Sequence, residues 1–163
     1  MTDKVRSRTI SWSDPAEYAP HWETMSGLQF LRALKDGSIE EPPIAMLIGF
    51  RIIEVEEGRV AFEFTPSECH YNFSGNIQGG IPSSVIDAAT GSAVYSLLPA
   101  GVKYTSLDLK VNYVRPITLQ SGRLRCEAWT VHVGARTGIA EAKLTGPQGR
   151  LRAFGTSLCM IFR

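Results

Sequence analysis

One carboxylate stands in a run of small and apolar residues that has the composition of a buried helix. Residues 79–98 run without a strong helix break as far as Pro99, since Pro82 lies near the first turn, where its missing N–H removes no helical bond. Asp87 is the one acid among them. A helix that is apolar on nearly every side is a buried helix, and a buried carboxylate costs several kcal/mol unless it is paired. Asp87 is therefore either a residue at a surface seam or in an ion pair, or a candidate general base or nucleophile.

The Gly79-Gly80 pair stands where this helix begins. The first N–H groups of a helix have no partner within the helix, and together with the helix dipole they stabilise negative charge. Glycine also lets a ligand approach the backbone closely. Gly79 and Asp87 are eight residues apart, which is roughly 12 Å along a helix. Both cannot contact one reacting carbon within a single chain, so a complete site needs Gly79 from one subunit and Asp87 from another.

Length and composition predict one globular domain with a sizeable core. The 163 residues are 44% hydrophobic and 20% charged, as is ordinary for soluble proteins. No apolar run is long enough to span a membrane, and the first residues contain no apolar signal core, so we expect a cytoplasmic protein without a membrane partner. Cys69, Cys126 and Cys159 are widely spaced and odd in number, which indicates reduced thiols.

The net charge of +1 gives no reason to expect a nucleic-acid partner. The charge is uneven, however. Residues 101–163 contain ten Lys/Arg and three Asp/Glu, whereas the first hundred residues contain seven and thirteen. A basic second half suits a phosphorylated small ligand, and it also suits a set of solvated strand faces.

Apolar periodicity predicts two helices before the central one. Residues 22–36 have apolar side chains near helical spacing and end at Gly37, and a short helix over Ile44–Leu47 follows Pro42-Pro43. Residues 1–20 are polar and contain two prolines, so we expect an extended arm there.

Alternating apolar and polar residues predict six strands. The strands Phe50–Val55 and Val60–Phe64 form a hairpin about Gly58, and four more strands follow Pro99, with a bulge near Trp129-Thr130. The last of these runs from Leu151 to about Phe162. Short connections favour an antiparallel sheet with a helix on one face, which is an α+β architecture.

Other catalytic chemistries find little support in the residue pattern. There is no Gly-x-Ser-x-Gly nucleophile elbow, and Ser83 and Ser84 have no histidine nearby in the sequence. Cys69 and His70 are adjacent but lack further ligands at metal-site spacing, so we expect no metal. Phosphate-binding loops and dinucleotide fingerprints are also absent from the sequence.

Several motifs taken together resemble the hotdog-fold acyl-CoA thioesterases, specifically the phenylacetate-pathway (PaaI-like) type. The family pattern is an Asn and a Gly, then His-Gly-Gly, then an acid within the helix, then a strand that ends in Tyr-x-x-Pro. The matching residues are Asn72, Gly75, Gly79-Gly80, Asp87, Thr105–Pro116, Gly134-Ala135-Arg136 and Gly149-Arg150-Leu151. Gln78 departs from the pattern, because the family usually has His there. Gln can donate a hydrogen bond through its amide but does not titrate near neutral pH.

The resemblance implies a curved six-stranded antiparallel sheet wrapped around one long helix. It covers about residues 43–162, so we divide the chain into an N-terminal arm and helix (residues 1–42) and a hotdog domain (residues 43–163). It also implies a homodimer with shared sites and a dimer of such dimers, a homotetramer.

The implied activity is hydrolysis of an acyl-CoA thioester to a free acid and CoA. Asp87 acts as base or nucleophile, and the Gly79 amide is the oxyanion donor. Asn72 and Gln78 help to hold the carbonyl, and Ser106 helps to place the water. The contacts assigned to the substrate and its CoA portion are Gly80, Ser83, Thr90, Val133, Gly134, Ala135 and Arg136. No cofactor is required, since CoA is part of the substrate.

Two alternatives remain open at this point. A hotdog hydratase or dehydratase places a catalytic His near the acid, and Gln78 speaks against it. A non-catalytic acyl-CoA sensor keeps the pocket but has no need of Asp87.

Overall fold

A computed structural model describes residues 5–162 of the chain. The helices are α1 (Ala19–Thr24), α2 (Gly27–Asp36), α3 (Pro43–Ile48) and α4 (Gly80–Tyr95). The strands are β1 (Phe50–Glu56), β2 (Arg59–Phe64), β3 (Lys103–Tyr113), β4 (Leu124–Val133), β5 (Thr137–Thr145) and β6 (Leu151–Phe162). The predicted hairpin, the short helix before it and the long central helix are therefore confirmed.

The strands form one antiparallel sheet in the order β1-β2-β4-β5-β6-β3. Strands β1 and β3 are the edges of this sheet. The predicted α+β class and hotdog architecture are confirmed, with α4 packed against β2 to β6. The bulge expected near Trp129-Thr130 is also present, because the pairing of β4 with β5 shifts register between Thr130 and His132. No helix in residues 5–162 is both long and apolar enough to cross a bilayer.

Glycines on the sheet let α4 approach it closely. Val85, Ile86, Ala89, Ala93 and Val94 of α4 are fully buried. A Cβ atom added to Gly138 would lie 2.6 Å from Cγ1 of Val94, and one added to Gly155 would lie 2.9 Å from Cγ2 of Ile86. The sheet therefore curves around a helix whose position is set by backbone contact.

The predicted helix over residues 22–36 is wrong in one respect, because the chain breaks at Met25-Ser26. Ser26 caps α2: its hydroxyl accepts from the Gln29 N–H at 3.3 Å, and the Gln29 side chain accepts from the Ser26 N–H at 2.9 Å. Met25 takes an extended conformation, so α1 ends before this cap.

The first part of the chain packs on the end of α4. The Gly27 N–H donates to the Leu98 carbonyl at 3.0 Å, and Phe30 and Leu31 lie in the same core as α4. The extended arm is shorter than the predicted residues 1–20, because a 3₁₀ turn begins at Pro15. Residues 1–4 of the predicted arm lie outside the described residues. The division of the chain at residue 42 stays a prediction.

We expect Gly155→Ala to destabilise the fold by about 1–3 kcal/mol, because its methyl group overlaps Ile86 and the Lys110 carbonyl. Urea unfolding followed by circular dichroism measures this change. Gly134→Ala is the matched control, since its Cβ lies closest, at 3.2 Å, to the end of the exposed His132 side chain. Equal stability of the two variants would contradict the close approach of α4 to the sheet.

Candidate active site

Asp87 lies on α4 where the helix passes the start of β3. Its carboxylate is half-buried, and the Ser106 hydroxyl donates to Oδ1 at 2.8 Å. Oδ2 accepts no hydrogen bond from any residue between 5 and 162. The structure therefore brings together the predicted acid and the predicted water-placing serine, and it leaves one carboxylate oxygen free to accept a proton.

Two other titratable groups lie near this carboxylate. Burial raises the pKa of the Tyr104 phenol, and the charges of Cys159 and Asp87 add to that rise. Burial also raises the pKa of the Cys159 thiol, with the Asp87 charge as a smaller cause. Both groups therefore stay protonated near neutral pH and do not compete with Asp87 as a base.

Gly79 is the N-cap of α4, at the opposite end of the helix from its contact with α2. Within the described part of the chain, the N–H groups of Gly79 and Gly80 have no hydrogen-bond partner. The Gly79 carbonyl accepts from the Tyr113 hydroxyl at 2.7 Å and from the Ser83 hydroxyl at 3.0 Å. These two hydroxyl groups lie 2.5 Å apart. The network fixes the Gly79 backbone while its own N–H stays available to an anion.

The loop before Gly79 is held by hydrogen bonds from its backbone N–H groups. The Asn72 side-chain oxygen accepts from the N–H groups of Ser74 at 2.9 Å and Asn76 at 3.2 Å. The Gln78 N–H donates to the His70 carbonyl at 2.8 Å, and the Gln78 side chain is exposed. Asn72 therefore organises the loop through its oxygen and keeps only its amide N–H groups for a ligand.

The predicted site residues fall into two groups within one chain. Asn72, Gln78, Gly79, Gly80 and Ser83 lie at the N-terminal end of α4. Asp87 lies two helical turns further on, roughly 12 Å from Gly79 along the axis. One chain does not bring the free amides and the free carboxylate oxygen to a common point.

The turn from Val133 to Arg136 joins β4 and β5 beyond the other end of α4. Gly138, just past this turn, contacts Val94 near the helix C-terminus. The Arg136 carbonyl accepts from the Ile161 N–H at 2.8 Å, and both Ala135 and the Arg136 side chain are exposed. The turn therefore presents a cation to solvent on the Asp87 side of the molecule, away from Gly79.

Thr90 is one of the residues predicted to contact the substrate. Thr90 is fully buried, and its hydroxyl donates to the carbonyls of Ile86 at 2.9 Å and Asp87 at 3.1 Å. The side chain is thus bonded within α4, and its contact with a substrate stays a prediction.

The structure places Ser106 and Tyr113 on the same face of β3, although the sequence pattern predicts opposite faces. Strict alternation places Ser106 and Tyr113 on opposite faces, because they are seven residues apart. The pairing of β3 with β6 shifts register between Ser106 and Asp108, so Leu107 forms a bulge. Both side chains therefore contact α4, one at Asp87 and the other at Gly79. Tyr113 is a member of this candidate site that the sequence pattern did not identify as a site residue.

Comparisons with known proteins agree with this fold. The family model of the Thioesterase superfamily matches residues 74–153. A Halobacterium salinarum protein named "Putative esterase" is 30% identical over 120 residues, which are 71% of this chain and 78% of that protein.

Two solved structures are also similar. A Ralstonia eutropha JMP134 protein, described as a "putative thioesterase, phenylacetic acid degradation-related protein", is 25% identical with a TM-score of 0.73, over 80% of this chain and 98% of that one. A Streptococcus pneumoniae TIGR4 protein, described as a "hypothetical thioesterase protein" and solved with coenzyme A, is 24% identical with a TM-score of 0.63, over 69% of this chain and 85% of that one. The chain therefore belongs to the thioesterase superfamily. Its sheet, which curves around α4, has the hotdog fold that the resemblance predicts.

Proposed function

We propose that the protein hydrolyses acyl-CoA thioesters in sites that two subunits share. The observation that carries this proposal is the Asp87 carboxylate, which is held by Ser106 through one oxygen and free at the other. Membership of the thioesterase superfamily supports hydrolysis, and the coenzyme A in the similar Streptococcus pneumoniae structure supports CoA as the thiol portion.

The chemistry needs only groups that the chain supplies and one water molecule. Asp87 Oδ2 takes a proton from water, and the water oxygen attacks the thioester carbonyl carbon. The partner subunit's Gly79 N–H stabilises the oxyanion that forms. When the oxyanion collapses, the C–S bond breaks and the CoA sulfur takes the proton from Asp87, which leaves a free acid and CoA. In the nucleophile variant, Asp87 attacks first and water hydrolyses the resulting anhydride. Both roles use the same oxygen, because Ser106 bonds Oδ1 and leaves Oδ2 without a hydrogen bond from the described residues.

Strand β3 supplies the geometry for a shared site. It is an edge strand, and Leu107, Tyr113 and Val114 are exposed along it or just after it. Antiparallel pairing of two β3 edges about a two-fold axis places the start of one strand beside the end of the other. Ser106 with Asp87 near one end then faces Tyr113 with Gly79 of the partner, and a dimer holds two equal sites. Pairing of two such dimers into a tetramer is implied by the family resemblance alone.

The CoA portion is assigned to the basic turn. Arg136 is exposed on the Asp87 side of each subunit, where its guanidinium can meet a phosphate of CoA. Val133, Gly134 and Ala135 shape this turn, and Gly80 and Ser83 border the thioester from the partner.

We expect Asp87→Asn to lower acyl-CoA hydrolysis by roughly 10²–10⁴-fold, since the amide keeps the shape but cannot take a proton. Release of free CoA thiol, followed with a thiol reagent, measures the rate. Asp108→Asn is the matched control, because Asp108 lies on the same strand as Ser106 and bonds the Leu158 N–H instead. Undiminished turnover in Asp87→Asn would contradict the assignment. Binding of acyl-CoA without any hydrolysis by the unmodified protein would favour the sensor instead.

We expect Tyr113→Phe to lower kcat about tenfold with little change in KM, because it removes the hydroxyl that fixes the Gly79 carbonyl. Tyr113 acts here as a positioning residue. The control is Tyr71→Phe, whose hydroxyl accepts from the Leu119 N–H away from Gly79. An equal loss in both variants, or a change confined to KM, would show that Tyr113 has only a structural role.

A further inference from the structure

An apolar pocket of about 480 Å³ lies between the first part of the chain and α4. From residues 15–42, which precede the part of the chain that the family model matches, its lining includes Tyr18, Trp22, Phe30, Leu31, Leu34 and Glu41. Because α1 and α2 supply this wall, the pocket exists only when the N-terminal segment is docked.

One end of the pocket includes Ser106, the residue that holds the Asp87 carboxylate. Ala88 and Ser92 of α4 also line the pocket. A thioester carbonyl held at Asp87 therefore directs its acyl chain along α4 into this space.

Leu34 and Glu41 form the far wall. Both also line a second cavity of about 360 Å³, which Trp12, Ile39 and Met46 border on the other side. The two residues thus separate the pocket from a further space and limit the length of chain that it holds. The Tyr18 hydroxyl donates to the Glu41 carbonyl oxygen at 3.1 Å and holds this segment in place.

The volume of the pocket suits an acyl chain well beyond acetyl. One water-sized group occupies about 30 Å³, so 480 Å³ has room for an acyl chain of about eight carbons and would be left mostly to water by a two-carbon group. Each methylene that leaves water for an apolar pocket strengthens binding by about fourfold.

Among the described residues that line the pocket, Glu41 carries the one carboxylate, which affects the charge of the chains that the pocket can bind. Burial raises the pKa of the Glu41 carboxyl, while the Ile52 backbone N–H and the Arg51 charge oppose the rise. A second carboxylate brought into this apolar space would carry the same desolvation cost, and it would meet a like charge wherever Glu41 is ionised. Lys103 also lines the pocket, but it is exposed, and its ammonium group lies over the Trp22 ring at 5.7 Å.

We propose that residues 15–42 form the acyl-binding end of the site, which takes uncharged acyl chains of about eight carbons and rejects chains that end in a carboxylate, with Leu34 and Glu41 as the residues that determine this specificity. The inference rests on the proposed acyl-CoA hydrolysis, and it names the substrate class of the same site.

Chain-length dependence tests the wall. The unmodified protein should show a kcat/KM for octanoyl-CoA at least tenfold above that for acetyl-CoA, since several methylenes enter the pocket. Leu34→Trp fills the far end, so it should lower the octanoyl-CoA value about tenfold and leave the acetyl-CoA value within twofold. Lys35→Trp, on the exposed side of the same helix, is the matched control. Leu34→Ala opens the wall toward the second cavity and should shift the preference to dodecanoyl-CoA. No chain-length preference, or equal effects of both tryptophan variants, would overturn the proposal.

Charge selection tests Glu41 with two chains of equal length. Octanoyl-CoA should be hydrolysed at least tenfold better than suberoyl-CoA, which carries a terminal carboxylate, and Glu41→Gln should reduce this ratio about tenfold. Glu40→Gln, one residue away and exposed, should leave the ratio unchanged. A preference for suberoyl-CoA that Lys103→Met abolishes would overturn the proposal, because the pocket would then select the opposite charge.

Binding of thioethers separates a failure of this inference from a failure of the proposed hydrolysis. S-octyl-CoA and S-(7-carboxyheptyl)-CoA carry the same chains without a hydrolysable bond, and calorimetry gives their dissociation constants. Tight binding of S-octyl-CoA that Leu34→Trp weakens supports the pocket even if the protein hydrolyses nothing. A different result would separate the two proposals. If the protein hydrolyses acyl-CoA substrates, but the unmodified protein and Glu41→Gln each bind both thioethers with equal affinity, the proposed pocket is wrong and the proposed hydrolysis is still supported.

Discussion

The structure depends on the rigidity of one helix that is held against one strand at two points. α4 carries the free amides at its start and the carboxylate in its middle, and β3 contacts both places through Tyr113 and Ser106. A helix does not bend over roughly 12 Å to bring these groups together. The separation that prevents a complete site within one chain is the same separation that two antiparallel β3 strands can bridge between chains.

Packing around α4 explains why the Asp87 carboxylate needs a hydrogen-bond partner. α4 packs against the sheet through backbone-close contacts at Gly138 and Gly155, which leave little water along its inner face. Asp87 lies at the border of that face and is half-buried, so its carboxylate oxygens need hydrogen-bond donors. The Ser106 hydroxyl donates to one of the two oxygens. A substrate water can donate to the other oxygen. The N-terminal segment extends the same apolar surface beyond Ser106, where a pocket replaces packed side chains.

Much of this fold could be predicted because periodicity and burial agree along the chain. The long apolar run marks α4, and the alternating strands mark the sheet. The break before α2 carries a local signal, since Ser26 and Gln29 have the spacing of a capping box, yet the apolar pattern runs through it unchanged. The bulge at Leu107 has no such signal, because the alternation of apolar and polar residues continues smoothly across it. Without that bulge Ser106 and Tyr113 fall on opposite faces, so the link from Tyr113 to Gly79 could not be found from spacing. Thr90 shows the converse, since a polar residue one turn from Asp87 proves to be bonded within the helix.

A mixture of two inactive chains tests the shared site most directly. Asp87→Asn lacks the base, and Gly79→Pro lacks the N–H at a residue whose φ of −57° suits proline. Gly79→Ala adds a similar Cβ while keeping the N–H, so it controls for contact with Tyr113. A one-to-one mixture of freely exchanging subunits forms half of its dimers from unlike chains, each with one intact site of two, and should regain about one quarter of the unmodified activity. No recovery despite demonstrated exchange and folding of both variants, or full activity in a monomer, would contradict the account.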